Sequence, residues 1–263
     1  VSGEVSFSGK SQEYETAKQW LTQLCRTLGC CDEDVWTVPG NHDVDHSVID
    51  GSLTVRNQQR TLRTADPASV DREMQNLLAD QEAFEVIHRP IANYNSFAVA
   101  YECSVGLKNL FWEQDLALND GSILRLRGVN SALVSTKEDD DGRNRLVVGT
   151  HQSLPPEENG VTYLMLCHHP PDWIWDRDRF SDNLKSRVAV ALFGHKHLQR
   201  IERVNGTLRI GAGAVHPSRA EGNWLPRYNF LALSVVSTAG TRCLKLDIWP
   251  RVWHDESKRF RAD

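Results

Sequence analysis

No run of apolar residues in this chain is long enough to span a bilayer. The longest, Val161–Leu166 and Val188–Phe193, have the length of buried strands. No positively charged start followed by an apolar stretch marks a signal peptide. The six cysteines (Cys25, Cys30, Cys31, Cys103, Cys167, Cys243) lack the pair-and-pair spacing of a zinc site. Cys30 and Cys31 are adjacent and poorly placed to bridge each other, so all six read as reduced thiols of a cytoplasmic protein. An excess of positive charge is also missing. A formal net charge of −5 argues against non-specific nucleic-acid binding over the whole surface, although a local basic groove stays open. Neither internal repeats nor a low-complexity tract is present.

What remains is an ordinary globular composition, 40% hydrophobic and 25% charged, long enough at 263 residues for one large domain or two small ones. Val1-Ser2-Gly3 reads as the tail of a strand without an initiator methionine, so a longer natural chain with further domains is expected. Tyr14, Ala17, Leu21, Leu24 and Leu28 recur at helical spacing, which predicts a helix over Ser11–Leu28 stopped by Gly29. Val35–Val38 then reads as a buried strand running into Pro39-Gly40. Strand end, helix and strand make one βαβ unit and imply parallel pairing.

Residues 51–94 change character. They are polar and helical, with the best helix from Val70 to Phe84, and read as an insertion: a lid, a substrate-side wall or a plain surface excursion. Leu124–Val129 and Leu146–Val148 are expected as strands around an acidic turn, Lys137–Arg143, whose charges read as a solvated hairpin tip. Val161–Cys167 and Val188–Phe193 have the continuous apolar character of strands covered on both faces. Leu208–Ile210, Phe230–Val236 and Cys243–Ile248 complete the expected strands. The architecture is α/β, two packed sheets flanked by helices, in a single domain over 1–263.

Three clusters carry the chemistry, each directly after an expected strand: Gly40-Asn41-His42-Asp43, His168-His169-Pro170 and Gly194-His195-Lys196-His197. Strand ends are where α/β proteins hold ligands, because loops there are anchored and face a crevice. Imidazole nitrogens with amide or carboxylate oxygens suit Mn, Fe, Zn or Ni rather than Ca. Each cluster alone is a weak signal, since a His-x-His is usually structural and a Gly-Asn-His-Asp can be an ordinary turn. Their joint occurrence in this order is not.

Together these motifs resemble the calcineurin-like metallophosphoesterase superfamily, whose pattern runs Asp-x-His, Gly-Asp, Gly-Asn-His-Asp/Glu, His-x-Pro, Gly-His-x-His. Gly3 to Lys10 resembles the Gly-Asp segment, and the likeness covers about residues 1–50 and 160–235. It implies a four-layer α/β/β/α sandwich of two mixed sheets and two divalent metal ions, manganese favoured. Asn41, His168 and His195 would hold one ion, His197 the other, and Glu4 would bridge them. The implied reaction is attack by metal-bound hydroxide on a phosphate ester. His42 would act as the acid or contact the phosphate, and Asp43 would belong to the catalytic loop by orienting it or its histidine. Gly-Asn-His-Asp with His-His-Pro-Pro is closest to the cyclic-nucleotide and small-diester branch, and residues 5–10 lack the Asp-Arg-Gly of the protein phosphatases. A nucleotide or nucleic-acid phosphodiester is therefore the expected substrate. Two departures stand out: no Asp-x-His precedes Gly3, and Glu4 replaces aspartate. The first implies either that an upstream segment carries the motif or that the second metal position is weakened, with one ion bound. The second implies a weaker or differently spaced metal pair. Together they leave a rival reading as a non-catalytic ligand-sensing or assembly module.

Around this set, His216 and Lys196 are candidate substrate contacts, with Lys10, Arg219 and Arg227 as further phosphate partners and Trp173 and Trp175 as an aromatic wall. His46 and His151 could approach the site, whereas His88 and His254 read as surface residues. A nuclease variant of the function would need a basic channel built from Arg56, Arg60, Arg63 and Arg72.

Overall fold

The computed structural model describes residues 1–106, 109–137, 139, 145–215 and 225–263. Its centre is a six-stranded mixed sheet formed by β1 (Phe111–Ala117), β2 (Ile123–Val129), β3 (Val161–Cys167), β4 (Val188–Phe193), β5 (Arg200–Val204) and β6 (Thr207–Gly211). The order is β1-β2-β3-β4-β6-β5, parallel from β2 through β6 and antiparallel at both edges. A second, antiparallel sheet runs β7 (Arg227–Thr238), β8 (Thr241–His254) and β9 (Arg259–Ala262). The architecture is thus mixed α/β, and among the described residues no helix is long and apolar enough to cross a membrane.

Alternation along β3 explains why its sequence is apolar throughout. Leu164 and Leu166 enter one core; Tyr163, Met165 and Cys167 enter the other. The first core also takes Tyr14, Leu21 and Cys25 of α1 (Ser11–Leu28) and Tyr94 and Phe97 of α6 (Ala92–Ala98). Leu231, Leu233, Leu244, Leu246 and Ile248 of the second sheet pack against it, half-buried. α1 has the expected bounds, with Gly29 left-handed at its end, but Leu28 lies exposed. Val35–Val38 is buried yet joins no sheet ladder. It meets the start of the chain through two bonds in parallel sense, Val1 N to Trp36 O at 2.6 Å and Val38 N to Val1 O at 3.3 Å.

The helices of 51–94 do not project. α3 (Leu53–Thr64), α4 (Val70–Ala79) and α5 (Gln81–His88) send Leu62, Val70, Met74, Leu77, Phe84 and Ile87 into the second core, alongside Phe180 and Leu184 of α8 (Arg177–Arg187). They are a layer of the domain, as an amphipathic segment with enough apolar side chains must be. The expected helix from Val70 to Phe84 breaks at Asp80, whose carboxylate caps α5 by accepting from Ala83 N at 3.0 Å.

Three further expectations fail for identifiable reasons. Leu146 makes only an isolated bridge to Ile174, so Leu146–Val148 is not a strand of the sheet. Asp139, in the acidic turn, is buried rather than solvated, because Arg63 donates to it at 2.6 Å and Ser135 Oγ at 2.6 Å. Residues 138 and 140–143 of that turn lie outside the described residues. His88 is buried at the end of α5, its ring against Phe84 and its Nδ1 donating to Phe84 O at 2.7 Å.

Burial pushes the His88 pKa down to about 4. The unfolded chain takes up that proton near pH 6.5, so unfolding binds a proton between about 6.5 and 4, and stability falls as pH drops through this interval. His88→Phe is expected to make the thermal midpoint less sensitive to pH over that range. An unchanged slope would show that His88 is not the group responsible.

Candidate metal centre

The expected site residues assemble at the carboxyl ends of parallel strands. Cys167 pairs with Phe193 in the register of β3 and β4, so His168 and Gly194 leave the sheet side by side, joined by Gly194 N to His168 O at 2.9 Å. Gly40-Asn41 arrives at the same edge from the Val35–Val38 segment. Backbone from the other two motifs and from Gly3 crowds around the His168 ring: a Cβ on Gly40 would stand 2.9 Å from His168 Cε1, one on Gly3 2.3 Å from His168 Nδ1, and one on Gly194 2.9 Å from His168 Nδ1 and 2.6 Å from Ser2 O. Glycine at these positions is what lets the loops close on one imidazole. Glu4, His195 and His197 all adopt left-handed backbone, with φ of 58°, 64° and 51°. Such conformations in non-glycine residues cluster where surrounding structure over-determines them, as at ligand sites.

His168 is fully buried, and its Nδ1 donates to Ser2 O at 2.6 Å. In the neutral ring this leaves a lone pair on Nε2, and that atom faces Asn41 Oδ1 at 3.0 Å. His195 Nδ1 faces the same oxygen at 3.1 Å, and Glu4 Oε1 lies 3.5 Å from His168 Nε2. Electron-rich atoms pointed at one another within a dry pocket repel unless a cation or a proton lies among them. The donor set of two imidazoles, an amide oxygen and a carboxylate fits a divalent transition metal. Glu4 Oε2 reaches on to His197 Nε2 at 2.8 Å, so Glu4 stands between the Asn41–His168–His195 group and His197.

Electrostatics keep these groups ready to act as ligands. Burial alone would raise the Glu4 carboxyl, but hydrogen bonds from His168 and His197, with the charge those rings carry when protonated, outweigh it and hold it well below the usual carboxylate range. Burial, reinforced by neighbouring His168, pushes His195 down to about 3, so its imidazole is neutral at ordinary pH.

The structure assigns Asp43 a supporting place. It is fully buried, and Glu4 N (2.9 Å), Val5 N (3.3 Å) and Gly40 N (2.9 Å) all donate to Oδ2. Ser6 N (3.0 Å), Ser6 Oγ (3.1 Å) and Tyr14 Oη (3.0 Å) donate to Oδ1. Burial pushes its pKa up while these donors pull against that rise. Asp43 therefore locks the Glu4 loop to the Asn41 loop without touching the centre. His42 is held by its Nδ1 donating to Phe7 O at 2.9 Å, which leaves Nε2, 4.0 Å from Glu4 Oε1, as the atom that can exchange a proton at the site.

The resemblance assigns the ligand role to His168, which occupies the His-x-Pro position, and none to the adjacent His169. Ring nitrogens of His168, His169 and His195 lie within 4.8 Å of one another, and His169 is fully buried with Nδ1 2.9 Å from Ser131 Oγ. The group centred on Asn41 Oδ1 is the tighter nest, since its contacts to His168 and His195 are near 3 Å.

Other candidates are committed elsewhere. Lys10 pairs with Asp45 at 2.7 Å, Lys196 with Asp172, and Arg227 with Asp263. Trp173 packs edge-on against His195 at 4.1 Å, but Trp175 donates its Nε1 to Ala65 O at 2.8 Å. His151 packs on Phe111, His46 begins α2 (His46–Gly51), and His254 lies on β8. Arg63 is tied to Asp139, and Arg56 donates to Ile49 O and Asp50 O, so two of the four expected channel arginines are engaged in the fold. His216 and Arg219 lie outside the described residues.

No protein-family model matches the chain, and no curated protein matches it. Among solved structures, a hypothetical protein from Pyrococcus horikoshii OT3 is similar over 92% of this chain and 84% of that one, at 9% identity and a TM-score of 0.27.

Replacing Asp43 by asparagine turns at least one amide proton toward donors that need an acceptor. Urea unfolding is expected to show a loss of about 2–4 kcal/mol. A loss below about 1 kcal/mol would mean that the two loops are joined by other contacts.

Proposed function

We propose that the chain is a metal-dependent phosphoesterase on the four-layer sandwich of the calcineurin-like metallophosphoesterases, with a nucleotide or nucleic-acid phosphodiester as its favoured substrate. The observation that carries this reading is the convergence of His168 Nε2 and His195 Nδ1 on Asn41 Oδ1 at 3.0 and 3.1 Å, in a pocket where His168 has already given its other nitrogen to Ser2 O. Asn41, His168 and His195 would hold one divalent cation, and Glu4 would bridge to a second beside His197; manganese is favoured, with Fe, Zn or Ni chemically suited. Bound there, two cations would clamp phosphate oxygens and supply a nucleophile near neutral pH.

The chain's own groups supply the remaining chemistry. In its imidazolium form, with Nδ1 engaged by Phe7 O, His42 gives its Nε2 proton to the leaving oxygen and is left neutral. Asp43 keeps Glu4 and His42 in register. All six cysteines are free, which fits a reducing compartment such as the cytoplasm. A second reading, a ligand-binding module without turnover, is favoured by one feature: the outer position rests on Glu4 and His197, with glutamate where the family pattern has aspartate.

With Mn²⁺, the wild-type chain is expected to hydrolyse bis(4-nitrophenyl) phosphate. Loss of His42 (His42→Ala) should lower kcat about 10²–10⁴-fold with metal retained, His195→Ala should abolish turnover, and Glu4→Asp should raise it. Metal bound but no turnover in both the wild type and Glu4→Asp would leave the binding module as the better account.

A further inference from the structure

The side chain of Phe7 is 79% exposed, the most exposed large hydrophobic residue among those described, and it stands beside the centre rather than on a remote surface. Its ring stacks on His42 at 5.4 Å between centroids and 23° between planes. Its carbonyl accepts the His42 Nδ1 proton. The segment that carries it is rigid on both sides: Glu4, Val5 and Ser6 donate to Asp43, and Ser8 N and Oγ donate to Glu13 at 2.9 and 2.8 Å. An aromatic ring held this firmly and left open on one face is a surface for stacking, whereas an isolated exposed phenylalanine on a mobile loop would need no explanation.

We propose that Phe7 is the platform for the leaving group, so that the site selects phosphate esters whose leaving group is planar and aromatic, such as an aryl or nucleobase-bearing ester. This inference rests on the phosphoesterase reading of the same centre. Geometry directs it: His42 Nε2 lies 4.0 Å from Glu4 Oε1, Phe7 is the ring stacked on His42, and a group held at the centre on that side meets the open Phe7 face. Trp173 packs edge-on to His195, another histidine of the centre, at 4.1 Å. Phe7 acts by contact alone. Its removal as Phe7→Ala leaves the backbone carbonyl, and with it the hydrogen bond from His42 Nδ1, in place.

The test compares binding of phenylphosphonate and methylphosphonate to the Mn²⁺-loaded chain by calorimetry, with hydrolysis of bis(4-nitrophenyl) phosphate followed in parallel. Wild type is expected to prefer the phenyl ligand about tenfold, a ratio within the range of aromatic stacking. Phe7→Ala should bring the two affinities together, and Phe7→Trp should keep the preference. Equal wild-type affinities, or a ratio unchanged in Phe7→Ala, would overturn the inference even if hydrolysis is robust. A preference that depends on Phe7 in a chain that hydrolyses nothing would support the platform and sink the enzymatic reading instead. A merely structural role for Phe7 would weaken both ligands equally.

Discussion

The buried carboxylate of Asp43 is the contact on which the candidate centre depends. Loops before α1 and after Val38 have no ladder to hold them, and their backbone N–H groups need acceptors in a dry interior. Asp43 supplies both carboxylate oxygens to six donors from Glu4, Val5, Ser6, Gly40 and Tyr14. Desolvating one carboxylate is costly, and this density of donors is what offsets it. The result is a rigid collar that fixes Glu4, Asn41 and His42 relative to one another.

Onto that collar the parallel sheet delivers two histidines. β3 and β4 end together, so His168 and His195 arrive as neighbours without any long-range device beyond strand register. His168 is then pinned by Ser2 O, and the glycines of three separate motifs leave room for its ring. Glu4, His195 and His197 also hold left-handed backbone here. A site with this much local cost, supported from several directions, has the physical character of a ligand centre.

Much of this was legible in the sequence because it is written in local patterns. The continuous apolar runs of β3 and β4 and the helical stripe of α1 identified their elements. The three motifs held Asn41, His168, His195 and His197, and the resemblance of Gly3 to Lys10 to a Gly-Asp segment added Glu4, all of which lie close together in the structure. What escaped depends on distant partners. β1, β5 and β9 are polar edge strands with no strong alternation, shaped by their neighbours rather than by their own residues. His88 and Asp139 looked like surface residues because no local pattern announces Phe84 or Arg63 as a buried partner. The polar helices of 51–94 concealed single apolar stripes sufficient to join a core. Asp43 was legible as part of a motif, but its six donors come from residues up to 39 positions away.

The central claim is that Asn41, His168 and His195 converge because a cation belongs between them. Anomalous diffraction at the manganese edge, from crystals grown with Mn²⁺, tests it most directly. The account predicts a peak bounded by Asn41 Oδ1, His168 Nε2 and His195 Nδ1, with Glu4 in contact. A map without that peak, in which the Asn41 amide instead turns its nitrogen to donate to His168, would contradict it.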